Sequence, residues 1–109
     1  MKKFVFIYYG KVRAEDISKE DMDKVKRKWG EWFETFKDKM VDGGNPFATE
    51  AKSVTADGVE TIPVDMWPAK GYTIVNAQDM DEATEIAKGC PALEDDPEGS
   101  VRVYEGIPM

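Results

Sequence analysis

Tyr8 and Tyr72 are the residues best placed to meet a ligand. Each carries a hydroxyl that needs a partner if buried, and both fall in apolar runs that read as neighbouring strands. Together they could line a cleft between a helix and a sheet. The run Asp65-Met66-Trp67-Pro68-Ala69-Lys70, just before the second of those strands, brings a carboxylate, an indole and an amine to what could be the rim of that cleft. Arg13, in the loop after the first strand, could pair with an anionic ligand. Trp32, on an aromatic helix, joins the candidate ligand contacts. For Arg13, Asp65, Trp67 and Lys70, surface ion pairs and an interface tryptophan are the commoner uses of the residue types.

No catalytic constellation accompanies these residues. The chain has no histidine, so no side chain titrates near neutrality without help, and acid–base chemistry would need a buried carboxylate or lysine. Cys90 follows a helix C-terminus, where the helix dipole disfavours a thiolate, and reads as a buried or inert thiol. With one cysteine and no histidine only oxygen ligands remain for a metal. Glu94-Asp95-Asp96-Pro97-Glu98 lacks the spaced acids of a calcium loop and reads as solvated. No metal and no cofactor are expected.

Composition narrows the partners. The net charge of −7 opposes a phosphate backbone, and the basic run Lys24, Lys26, Arg27, Lys28 is interleaved with acids nearby, as on a solvated helix face. No stretch approaches the roughly 20 apolar residues of a membrane span. Neither nucleic acid nor membrane is expected, and a cytoplasmic location follows by default. At 109 residues the chain fits a single domain, 1–109, with one core.

The segment from Gly71 to Pro91 shows most clearly how the elements are encoded. Tyr72-Thr73-Ile74-Val75 is β-branched and aromatic, as a packed strand requires. Asp79 and Glu82 form a capping box that opens a short helix, along which Met80, Ala83, Ile86 and Ala87 make an apolar stripe. Gly89 is expected as a left-handed end residue, with Pro91 forbidding continuation. Upstream, Lys3 to Tyr9 is apolar on both alternating faces: Phe4, Phe6 and Tyr8 point one way, Val5, Ile7 and Tyr9 the other. Ser18 with Asp21 opens a long helix whose stripe runs Met22, Val25, Trp29, Trp32, Phe33, Phe36, Met40. The helix is expected to reach about Val41 and stop at Asp42-Gly43-Gly44. Such an aromatic stripe reads as core. Gly30 within it suggests a close approach.

Ala48 to Thr55 and Val59 to Ile62, joined at Asp57-Gly58, read as edge strands of a hairpin, and Pro63 to Lys70 as an irregular loop. The last strand is Ser100 to Glu105, entered from an acidic loop. This order matches an α+β, ferredoxin-like split βαβ arrangement: an antiparallel sheet with two helices on one face, KFVFIYY and YTIVNA at its centre. Two helices cover only one face of such a sheet. The apolar second face of KFVFIYY therefore predicts a homodimer with two sheets packed face to face.

The chain resembles the YCII-related family, in its DGPF-like branch. The resemblance rests on the opening M-K-K-F-V-F-I-Y, the aromatic helix ending at Gly43-Gly44, then G-Y-T-I-V, D-M-D-E-A, A-K-G-C-P and S-V-R-V, and spans nearly the whole chain. It implies a dimeric α+β barrel, a small acidic cytoplasmic protein and, for most members, no established function. Some similar proteins are cofactor-independent enzymes with a His-Asp pair, which cannot be carried over to a chain without histidine. The DGPF motif is also absent: Asp57-Gly58 continues as Val59-Glu60.

Three functions fit the sequence. A small-molecule-binding protein or enzyme would hold its ligand between helices and sheet. A noncatalytic homodimeric interaction or regulatory module would instead present Trp67 to another protein. A stress or storage role would make only structural demands.

Overall fold

The computed structural model describes residues 1–109. β1 (Lys2–Tyr9) is followed by a 3-10 turn and by α1 (Lys19–Thr35), then β2 (Met40–Asp42), β3 (Lys52–Thr55), β4 (Gly58–Thr61) and β5 (Gly71–Ala77). α2 (Met80–Lys88), α3 (Ala92–Asp95) and β6 (Ser100–Gly106) complete the chain. Four strands form an antiparallel sheet in the order β2-β5-β1-β6, with the expected pair at its centre. This is the split βαβ fold.

The caps fall where the sequence puts them. Ser18 accepts the Asp21 amide at 3.1 Å, and Asp79 accepts the Glu82 amide at 2.9 Å while Glu82 reaches back to the amide of Gln78. Each satisfies first-turn donors that have no partner within the helix.

Strand alternation then sets the core. Phe4, Phe6 and Tyr8 of β1, and Thr73 and Val75 of β5, point under the helices and are buried; Val5, Ile7, Tyr9, Tyr72 and Ile74 point to the other face and stay half-buried. Ala83, Ile86 and Ala87 of α2 and Trp32 of α1 close over the first set. Fully burying a side chain the size of Phe4 or Phe6 is worth roughly 1.5–3 kcal/mol, so these few residues dominate the stability.

Four expectations are corrected. α1 ends at Thr35 rather than near Val41, and after a turn Met40–Asp42 becomes the sheet's edge strand beside β5, with Asn76 donating to the Lys39 carbonyl at 2.7 Å. The spacing of Phe36 and Met40 suits a helix equally well, and only the open edge of β5 decides against one. The hairpin β3–β4 is real, but it forms a separate two-stranded sheet and turns at Ala56-Asp57. Gly89 is not left-handed (φ −85°), because the chain continues through Pro91 into α3, where an acidic loop was expected. Gly30 marks no close approach: a Cβ there would meet nothing within 4 Å. No helix is long and apolar enough to cross a membrane.

Candidate functional site

Beneath α1, at the Tyr8 end of β1, the structure encloses a cavity of about 280 Å³. Its roof is Met22, Val25, Trp29 and Phe33 of α1; its floor is Tyr8, with Gly71 and Lys70 at the start of β5. Val12, Ala14 and Ile17 close one end and Gly43-Gly44-Asn45-Pro46 another. Ligand pockets commonly span roughly 300–1,000 Å³, so this one suits a single substituted ring rather than a nucleotide. A second hollow, about 310 Å³ beside Lys28, Glu31 and Glu94, is open and mostly polar, without such walls.

Of the two glycines in one wall, Gly43 lies under the Phe33 ring and Gly44 against backbone. Gly44 is left-handed (φ +77°), and a Cβ on it would run into the Tyr72 carbonyl. At this position only glycine avoids both conflicts. Its amide donates to Asp42 Oδ1 at 2.8 Å.

The aromatic walls are held edge to face. Trp29 meets Tyr8 at 5.2 Å between centroids with planes 76° apart, and Trp32 at 5.6 Å with planes 88° apart. These tilted pairs match the ring quadrupoles and fix the rings in place.

The polar groups fall into two sets. Tyr8 Oη donates to Thr73 Oγ1 at 2.6 Å, and Thr73 Oγ1 donates in turn to the Gly43 carbonyl at 3.0 Å. Burial, with Cys90 alongside, pushes the Tyr8 phenol well above its ordinary range, so it stays protonated. Burial likewise raises the Cys90 thiol to about 11, which leaves no thiolate near neutral pH.

The second set centres on Asp96. Its Oδ2 accepts from Lys70 Nζ at 3.2 Å and from the Val12 amide at 2.9 Å, and its Oδ1 accepts from the Glu98 amide at 3.2 Å. Burial alone would raise this carboxyl. The Val12 amide and the Lys70 ammonium outweigh it and hold Asp96 below the usual carboxylate range. Lys70 Nζ also donates to the Val12 carbonyl at 3.2 Å. An ammonium has three hydrogens, so these two bonds leave one donor of Lys70, a residue of the cavity lining, without a partner.

Of the sequence candidates, Tyr8, Lys70 and Tyr72 line the cavity; Arg13, Trp32, Asp65 and Trp67 lie outside its lining. Tyr72 stands on the strand beside Tyr8, as expected, and borders the cavity, but its position in the alternation falls on the other sheet face. It pairs with Ile7 on the opposite side of the sheet, donates to Asp42 Oδ2 at 3.1 Å and stacks on Phe47. Arg13, far from meeting an anion, is buried and donates to the carbonyls of Pro68 (3.0 Å), Ala48 (3.2 Å) and Ala69 (3.5 Å), tying two loops together. Trp32 is buried core and donates to the Ile86 carbonyl at 3.1 Å. Asp65 is exposed in a 3-10 turn; Trp67 is half-buried, with Lys11 5.4 Å from its ring centre.

Among the lining residues that sequence reasoning missed are Trp29, Phe33, Met22 and Val25, the charged Lys26 and Asp95, and the segment Gly43 to Pro46. The signal of the first four was present in the helical stripe. Which end of the stripe stands over a void and which over α2 is set by packing alone.

The arrangement can bind and orient. Lys70 is charge-compensated by Asp96, and Asp95 by Lys28 at 3.2 Å, while Lys26 lines the cavity without an ion-pair partner, so the site suits a largely apolar guest with an oxygen acceptor for an ammonium.

Comparisons with known proteins bear on the fold. No family model matches the chain, and no curated protein matches it in sequence. Among solved structures it is similar to 5-chloro-2-hydroxyhydroquinone dehydrochlorinase (TftG) from Burkholderia phenoliruptrix AC1100, in complex with 2,5-dihydroxybenzoquinone. The two share 16% identity at a TM-score of 0.52, over 94% of this chain and 93% of that one. A de novo designed protein, Ferredog-Diesel, aligns at a TM-score of 0.43 and 12% identity, over 95% of this chain and 84% of that one. The first likeness agrees with the α+β fold described above.

Proposed function

We propose that this chain is a small-molecule-binding protein of the YCII-related kind, holding a single flat, mostly apolar ring beneath α1. Lys70 donates to an oxygen on that ring. The observation that carries the reading is the cavity of about 280 Å³ walled by Tyr8, Trp29 and Phe33, with Lys70 in its lining and Asp96 holding Lys70 from behind it. Aromatic walls give area, and one placed donor gives orientation. TftG, which has a like fold and a quinone as its bound ligand, supports an oxygen-bearing ring as the class to try first. Enzymatic turnover would draw on Lys70 polarising that oxygen, since Tyr8 and Cys90 are both held protonated.

The test is a tryptophan-fluorescence titration with 2,5-dihydroxybenzoquinone and unsubstituted analogues. Saturable quenching is expected to vanish in Trp29→Ala and to weaken roughly tenfold in Lys70→Met, the worth of one hydrogen bond. Linear, unsaturable quenching in the wild type would overturn the reading.

A homodimer through the open sheet face belongs to the same proposal. Val5, Ile7, Tyr9 and Ile74 form an apolar face that no helix of this chain covers, and the radius of gyration of 14.8 Å exceeds the roughly 13 Å of a compact chain of this length. For the alternative interaction module, Trp67 offers a half-buried anchor with Lys11 5.4 Å from its ring centre.

A further inference from the structure

Three charged side chains line the cavity beneath α1: Lys26 of α1, Lys70 just before β5 and Asp95 of α3. Two of them are answered within the chain. Lys70 is bonded to Asp96, and Asp95 to Lys28, each at 3.2 Å. Lys26 makes no ion pair, although Asp23 stands three residues before it on the same helix, a spacing that allows one. Of the basic run Lys24, Lys26, Arg27, Lys28, it alone lines this cavity.

A second cation lies just outside the lining. Arg13 is 3% exposed, sits in sequence between the lining residues Val12 and Ala14, and bonds only to carbonyls, one of them that of Ala69 next to Lys70. Its Nε has no partner, and the carboxylate of Glu15, two residues on, is held by Thr49. A buried guanidinium without a counter-ion is costly, and in apolar surroundings its field is weakly screened. The surplus carboxylate on the α3 side, Glu94, faces the second hollow with its side chain 69% exposed, where water and salt screen it. In a chain of net charge −7, this cavity is thus bordered by two cations that no carboxylate of the chain answers.

We infer that the oxygen acceptor of the guest belongs to a carboxylate borne on its ring, so that the site takes a small aromatic carboxylate. The inference rests on the ring-binding reading above and names the class of ring. At neutral pH a carboxyl group is ionised, whereas a plain phenol is not. A carboxylate presents two acceptor oxygens, and the lining presents two ammonium groups with hydrogens to give: the unpartnered donor of Lys70 and, on the long stem of Lys26, a whole ammonium. The rest of the wall is aromatic and aliphatic, which suits the ring itself.

The test is isothermal titration calorimetry of the whole chain with benzoate and with benzamide, its uncharged near-isostere. Benzoate is expected to bind at least about tenfold more tightly, and to lose affinity as salt rises from about 0.05 to about 0.5 M while benzamide does not. Lys26→Gln, at an exposed helix position that tolerates glutamine, is expected to shrink the benzoate-to-benzamide ratio about threefold. Equal binding of the two compounds, or a ratio unmoved in Lys26→Gln, overturns the carboxylate class and leaves the ring-binding reading standing. Failure of both compounds to saturate also overturns the class; the ring-binding reading falls with it only if 2,5-dihydroxybenzoquinone fails to saturate as well.

Discussion

Tyr8 Oη donates to Thr73 Oγ1 across 2.6 Å, joining residues 65 positions apart at the floor of the cavity. Thr73 hands its own hydrogen to the Gly43 carbonyl, so the three groups form a satisfied chain with no loose donor. The two ends are not equivalent. Tyr8→Phe leaves Thr73 with its carbonyl partner and is expected to cost about 1 kcal/mol in urea denaturation. Thr73→Val strands the buried tyrosine hydroxyl and is expected to cost about 2–3 kcal/mol. The double variant should cost less than the sum by about 1 kcal/mol, and strict additivity would contradict the coupling.

Asp96 makes a pH prediction. Its folded-state carboxyl lies below the ordinary value, so the stability it contributes is present above the unfolded pKa of about 3.9 and is lost as pH falls through the lower folded value. Asp96→Asn leaves Lys70 without its counter-charge in a nearly buried site and is expected to cost about 3 kcal/mol at neutral pH. The gap between wild type and variant, measured by denaturation, should narrow as pH drops from about 5 toward 2. A gap independent of pH would argue against the ion pair.

Two glycines should respond in opposite directions. Gly30 sits in α1 with open space around it, and Gly30→Ala is expected to stabilise the fold by about 0.5–1 kcal/mol. Gly44→Ala places a methyl on the Tyr72 carbonyl in a left-handed backbone and is expected to destabilise by at least about 2 kcal/mol. Chemical denaturation of the two variants side by side checks both; equal effects would contradict the stated geometry.

Much of the fold was legible because it is encoded locally. Ser18, Asp79 and Glu82 cap helices with their immediate neighbours, and the two-residue period of Phe4, Phe6 and Tyr8 declares which face of β1 is buried. β2 was hidden because Met40 suits a helical stripe and becomes a strand only through the ladder it finds beside Val75. The hairpin was legible as a hairpin, but its separation from the main sheet was not, since pairing between distant strands leaves no mark on either one. In the site, Tyr8 and Lys70 stood out by their chemistry. Trp29 and Trp32 lie three residues apart on the same stripe and could be told apart only once α2 was in place under Trp32.

The central claim is that the cavity beneath α1 is a binding site. The most direct measurement is a crystal structure of the protein soaked with 2,5-dihydroxybenzoquinone. The account predicts a ring in the cavity beneath α1, against the Trp29, Phe33 and Tyr8 side chains, with one oxygen within hydrogen-bond distance of Lys70 Nζ. A cavity that stays free of the soaked compound, or one collapsed by Phe33 and Met22, would contradict it.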